Sequence, residues 1–128
     1  MILNVTFNKR TPIYLQVMQH FKRQIIYGEL KAGEEMPSRR QLANQLKINP
    51  NTVQRAFSEM EEEGLIYTEP NRPSRVTEDP KLLSQLKKEW LDKKIIDFVS
   101  DLAPVDLPVK EIVTLVEEEM YLRKKEES

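Results

Sequence analysis

In the first half of the chain, apolar residues recur every three or four positions within three separate segments. In residues 12–27, Ile13, Val17, Phe21 and Ile25 stand four apart, a spacing that places them on one face of a helix. Residues 38–46 and 50–63 repeat this pattern over shorter lengths. The pattern therefore predicts three amphipathic helices in succession.

Residues that start and stop helices stand at the ends of these segments. Ser38, with a glutamine three residues later, forms a capping box, and Asn49 is a natural N-cap before Pro50, which suits a first helical turn. Gly28 and Gly64 are expected at helix ends. Only a short turn separates the second and third helices, as in a helix-turn-helix.

The pattern after residue 64 changes to two short strands and then to two longer helices. The stretches LIYTE and SRVT flank the turn-forming PNRP, which predicts a β-hairpin. Beyond TEDP, two apolar-striped helices are separated by APVDLP. We expect a mainly α fold with a small β-hairpin wing: a winged helix-turn-helix over residues 1–77 and a C-terminal antiparallel two-helix dimerisation tail over residues 78–128.

The two tail helices carry more apolar surface than they can bury against each other, and the tail contains no third helix to cover it. A second copy of the chain would supply the missing surface, so we expect a homodimer. The predicted dimerisation residues are Leu83, Leu86, Trp90, Leu91, Ile95, Phe98, Val99, Ile112, Val113, Val116 and Met120.

The third helix has one apolar side and one polar side. Its polar side carries amides and an arginine, which can form two hydrogen bonds at once with adenine or guanine edges in the major groove. Its last turns are acidic and would repel phosphates, so we expect only the first half to enter the groove. The predicted DNA contacts of this helix and its N-cap are Asn49, Asn51, Thr52, Gln54, Arg55 and Ser58.

Basic residues are expected around that helix. Arg39 and Arg40 fall in the first turn of the preceding helix, where they and the backbone N–H groups near Ser38 could hold a phosphate. Arg72 and Arg75 fall on the hairpin. Residues 1–77 carry 11 Lys and Arg against 8 Asp and Glu, whereas residues 78–128 carry 9 against 13. This asymmetry indicates a nucleic-acid-binding part joined to a part with another role.

The stretch GELKAGEEMPSRRQLANQLKINPNTVQRAFSEMEEEGLIYTE resembles the DNA-binding domain of GntR-family transcription regulators, and the resemblance covers residues 11–77. The short tail is similar to that of the YtrA subfamily, whose members dimerise through it and often control neighbouring transporter genes. The resemblance implies DNA contacts at or beside Ser38, Arg40, Asn51, Thr52, Gln54 and Arg55. Lys47 stands where the family commonly has a left-handed glycine, which would cost about 1 kcal/mol.

We expect a sequence-specific transcription regulator, a repressor, that binds a pseudo-palindromic double-stranded DNA operator as a homodimer. With no cysteine and one histidine, the chain has no catalytic constellation, so we expect no enzyme activity, metal or cofactor. No apolar run approaches a membrane span and no signal peptide is evident, which favours the cytoplasm. The alternative is a winged-helix protein-interaction module without DNA binding. The operator sequence and any small-molecule effector stay open.

Overall fold

The computed structural model describes residues 6–127, which form five helices and one small antiparallel sheet. This architecture confirms the expected fold class. None of the helices in this range has the length and apolarity that a membrane span requires. The elements are α1 (Ile13–Ile26), α2 (Arg39–Leu46), α3 (Pro50–Glu62), β1 (Ile66–Tyr67), β2 (Arg75–Val76), α4 (Pro80–Leu102) and α5 (Val109–Glu127).

The starts of α2 and α3 lie where the sequence predicts them. The Ser38 hydroxyl accepts the backbone N–H of Gln41 at 3.3 Å, and the Asn49 side chain accepts that of Asn51 at 2.8 Å. Each bond satisfies one of the N–H groups that a helix start leaves without a partner. Pro50 is the first residue of α3. These caps fix where α3 begins and therefore which residues occupy its first turn.

The core of the first part of the chain lies where α3 contacts α1, α2 and β1. Phe21 of α1 and Phe57 of α3 meet edge to face, with 5.9 Å between ring centroids, and both are almost fully buried. Burial of side chains of this size stabilises a fold by about 1.5–3 kcal/mol each. The other large side chains with almost no exposure are Val17, Leu30, Leu42, Val53, Met60 and Val76.

The hairpin pairs Ile66 with Val76 in antiparallel register. On the other edge of β2, the Gly33 N–H donates to the Val76 carbonyl at 2.9 Å, and the Met36 N–H donates to the Ser74 carbonyl at 2.7 Å. Gly33 has a φ of +77°, a left-handed conformation that glycine adopts without strain. The segment before α2 therefore acts as a short third strand and ties the wing to the helices.

The chain forms two compact units, of which the first runs from Met1 to Trp90 and ends inside α4. The predicted boundary between a DNA-binding domain and a tail at residues 77 and 78 stays a prediction. Leu83 and Leu86 pack against the core of the first unit, and Trp90 contacts Tyr27 edge to face at 5.9 Å between ring centroids. Leu83, Leu86 and Trp90 are half-buried and thus have packing partners within the first unit. Their role in dimerisation stays a prediction, and the interface proposed below is built on the residues that follow them.

The second compact unit, Leu91–Ser128, buries none of the side chains that the structure describes in it. Residues of α4 and α5 line an open apolar cleft of about 650 Å³ between the two helices. We call the predicted dimerisation residues of this unit, together with Leu102, the tail face. They are Leu91, Ile95, Phe98, Val99, Leu102, Ile112, Val113, Val116 and Met120.

Lys47 ends α2 in the left-handed conformation that the family resemblance implies, with φ 55° and ψ 47°. Because a side chain with a Cβ is strained there, Lys47→Gly is expected to raise the free energy of unfolding by about 1 kcal/mol. Urea denaturation of the two proteins measures the difference. The control Gln45→Gly, at an exposed position inside α2, should instead lower stability by about 1 kcal/mol. An equal decrease in the free energy of unfolding in both variants would contradict the assignment of backbone strain to Lys47.

Candidate nucleic-acid interface

The polar side of α3 is exposed as its periodicity predicts. Asn51, Gln54 and Arg55 are exposed, whereas Thr52 and Ser58 on the flanks are half-buried. The opposite side packs into the core through Val53, Ala56, Phe57 and Met60. One side of the helix is thus held rigidly by the core, and its first two turns present hydrogen-bonding groups to solvent.

Gln54 and Ser58 lie one turn apart on this exposed side. The Gln54 side-chain amide donates to the Ser58 hydroxyl at 3.3 Å. That bond uses one of the two amide N–H groups and leaves the carbonyl oxygen and the second N–H for another partner. An amide with one donor and one acceptor free matches the acceptor and donor that adenine presents in the major groove. The DNA contacts of these residues stay predictions.

Arg55 is exposed, but neighbouring side chains hold it in place. Its guanidinium carbon lies 3.9 Å from the centroid of the Tyr14 ring, and its Nη2 donates to the Tyr14 hydroxyl at 3.2 Å. On its own helix, Nε lies 3.5 Å from a Glu59 carboxylate oxygen. The sequence does not predict this contact, because Tyr14 and Arg55 are 41 positions apart.

The start of α2 presents two arginines in different situations. Arg40 is exposed, as a phosphate contact requires. Arg39 is half-buried over the Phe57 ring, at 4.8 Å from its centroid, and its Nη2 lies 2.9 Å from a Glu61 carboxylate oxygen. Arg39 therefore has a carboxylate partner within the protein, whereas Arg40 is exposed, and the phosphate contacts of both arginines stay predictions.

Glu61 also connects α3 to the wing. The Thr68 hydroxyl donates to the Glu61 carboxylate at 2.6 Å, and the Thr68 and Ser74 hydroxyl oxygens lie 2.6 Å apart. A second glutamate of the acidic run, Glu63, pairs with Lys22 of α1 at 3.0 Å. The acidic end of α3 therefore joins the helices and the wing through ion pairs and hydrogen bonds, in addition to the predicted repulsion of phosphates.

The two wing arginines also differ in their exposure and in their contacts with carboxylates. Arg72 has a side chain that is 68% exposed, and its nearest carboxylate, that of Glu69, is 3.9 Å away. Arg75 donates to the Gly33 carbonyl at 2.8 Å and to the Glu35 carboxylate at 2.8 Å. The Arg75 guanidinium thus ties the wing to the segment before α2, and its predicted DNA contact stays a prediction. Arg72 is the wing cation that the structure presents to solvent.

Comparison with known proteins places this arrangement in a family. The profile described as "Bacterial regulatory proteins, gntR family" matches residues 13–76, from the first residue of α1 to the last residue of β2. The chain belongs to the GntR family. It is a DNA-binding transcription regulator and not an enzyme, which confirms these parts of the expected function. Helix α3, whose first two turns are exposed on one side, is thus the second helix of a GntR-family helix-turn-helix.

Relatives of this GntR-family chain extend the similarity into the tail. It is 32% identical to the uncharacterized HTH-type transcriptional regulator YhcF of Bacillus subtilis, over 84% of this chain and 88% of the relative. It is 39% identical to the HTH-type transcriptional repressor YtrA of the same organism, over 68% and 71% of the two chains. A GntR family regulator from Listeria monocytogenes has a similar structure, with a TM-score of 0.77 and 31% identity over 88% of this chain and 98% of that one.

Proposed function

We propose that this GntR-family regulator represses transcription by binding a pseudo-palindromic operator as a homodimer, with the first half of α3 in the major groove of each half-site. The observation that carries the proposal is the exposed set Asn51, Gln54 and Arg55 on a helix anchored by the core. Amide and guanidinium groups at the start of a recognition helix are suited to base edges. Arg40 and Arg72 would position the protein through phosphates.

Homodimer formation is supported by the exposure of the tail face. Ile95, Val99, Val113 and Val116 are between 41% and 55% exposed, and contiguous apolar surface of this kind typically marks an interaction site. A two-fold axis through such an interface would present two recognition helices, which suits an operator with two-fold symmetry. The expected half-sites are centred about 10 bp apart or a multiple of that spacing.

Repression is proposed from the similarity to YtrA of Bacillus subtilis, which is named as a repressor. Control of neighbouring transporter genes follows from the resemblance to the YtrA subfamily and is part of the same proposal. The exposed polar face of α3 favours this function over a protein-interaction module, which needs no amides and arginine at these positions.

The proposal is tested by selecting bound sites from genomic fragments with the full-length protein and then titrating a selected site against random duplex DNA at fixed salt. We expect saturable binding and a preference for the selected site of about 10³-fold or more. Binding to random DNA should weaken steeply as salt rises, because phosphate contacts release counterions. Absence of saturable duplex binding at low salt would favour the protein-interaction alternative.

A further inference from the structure

The structure assigns to Tyr14, on α1, the role of positioning the guanidinium with which Arg55 reads a base. This inference rests on the proposed base-reading role of Arg55 and adds to it a residue outside the helix-turn-helix. Tyr14 is a positioning residue, because it would act on specificity through Arg55. Without such support, an exposed arginine side chain samples many rotamers and loses that freedom when it binds.

Two contacts with Tyr14 restrain Arg55 in the free protein. The guanidinium carbon lies 3.9 Å from the ring centroid, a distance at which the ring attracts the cation. The hydroxyl of the same ring accepts Nη2 at 3.2 Å. Glu59 approaches Nε at 3.5 Å, so the guanidinium is restrained from α1 and from its own helix.

The restrained guanidinium keeps enough donors to read a base. Of the five N–H groups of an arginine, one on Nη2 is used by Tyr14 and the one on Nε faces Glu59. The remaining three belong to Nη1 and Nη2. Because a two-pronged contact with guanine O6 and N7 needs two donors, the contacts with Tyr14 and Glu59 fix the side chain without exhausting its hydrogen-bonding capacity.

Tyr14 is itself firmly held and lies next to the reading face. It is half-buried and packs against the core of the first unit. Together with Ile13, it lines an open cleft of about 380 Å³ whose other walls are Asn51, Thr52 and Arg55. The start of α1 thus forms one side of the surface that the recognition helix offers to DNA, and its tyrosine sets the orientation of the arginine there.

A double-mutant cycle on the full-length protein tests this role. The measured quantity is the specificity ratio, which is the affinity for a selected operator divided by that for random DNA. Tyr14→Leu removes the aromatic face and the hydroxyl and is expected to lower the ratio about fivefold. Tyr14→Phe keeps the aromatic face and should lower it only about twofold. In the Arg55→Ala background, neither Tyr14 substitution should change the ratio further.

The outcomes separate failure of this inference from failure of the proposed function. If Arg55→Ala lowers the ratio but Tyr14→Leu leaves it unchanged or lowers it equally in both backgrounds, the positioning role is refuted and the base-reading role stands. If Arg55→Ala leaves the ratio unchanged, both are refuted. Should Tyr14→Leu fail to fold, as judged by thermal unfolding, the test uses Tyr14→Phe in the unmodified protein and in the Arg55→Ala background. An equal twofold loss with and without Arg55 would then count against the inference.

Discussion

Val113→Glu is expected to convert the protein to a monomer and to weaken operator binding by about a hundredfold or more. Val113 is 48% exposed and belongs to the tail face that we propose as the dimer interface. A carboxylate buried there without a partner would oppose association strongly. Each winged helix-turn-helix would then bind its half-site separately. It would lose the high effective concentration that comes from linking two of them in one dimer. Light scattering and an operator titration measure the two effects.

The matched control for this substitution is Thr114→Glu, which adds the same charge at the next residue of α5. Thr114 is exposed, and its hydroxyl donates to the Lys110 carbonyl at 3.0 Å within the helix. It lies outside the tail face, so this variant should stay dimeric and bind the operator nearly as the unmodified protein does. A Val113→Glu protein that remained dimeric, or an unmodified protein that was monomeric at micromolar concentration, would contradict the proposed interface.

Arg55→Ala is expected to lower the specificity ratio about 10- to 100-fold, because a two-pronged contact with a base contributes about 1–3 kcal/mol of discrimination. The side chain is 60% exposed and contacts neighbouring side chains only at the protein surface, so its removal should leave the fold intact. Competitive titration of a selected operator and of random duplex DNA, at one salt concentration, gives the ratio. Circular dichroism of the variant checks the fold.

Arg72→Ala is the control for Arg55→Ala, since it removes the same charge from the wing. Arg72 is exposed, and its distance to the Glu69 carboxylate is 3.9 Å. We expect its loss to weaken operator and random binding alike and to lower the salt slope by about 1. The assignment of Arg55 to bases and Arg72 to phosphates fails if the two variants change the ratio equally, or if Arg55→Ala leaves it unchanged.

The parts of the fold that local chemistry determines could be predicted from sequence. Ser38 and Asn49 cap helices with their own side chains, and Gly64 adopts the left-handed conformation expected just after α3. The exposed side of α3 could be predicted from the 3.6-residue period of its apolar positions, because this period depends only on residues that are close in sequence. The same period predicted the apolar stripes of the tail.

The ion pairs and hydrogen bonds around the candidate DNA-binding surface join residues that are far apart in sequence. Arg39 and Glu61 are 22 positions apart, and Arg75 and Glu35 are 40 apart. No periodicity links such pairs, so an arginine on a predicted surface could not be distinguished from one already paired with a carboxylate. For the same reason, the packing of Leu83 and Leu86 on the core of the first unit was not predicted, and their stripe was assigned wholly to the tail.

Methylation interference on a selected operator shows whether the first half of α3 reads base pairs from the major groove. Methylation of guanine N7 marks the major groove, whereas methylation of adenine N3 marks the minor groove. If α3 reads the major groove, N7 methylation at guanines in each half-site is expected to block binding, and Arg55→Ala is expected to lose sensitivity at one of these guanines. Interference confined to adenine N3, or an N7 pattern unchanged in Arg55→Ala, would contradict this role of α3.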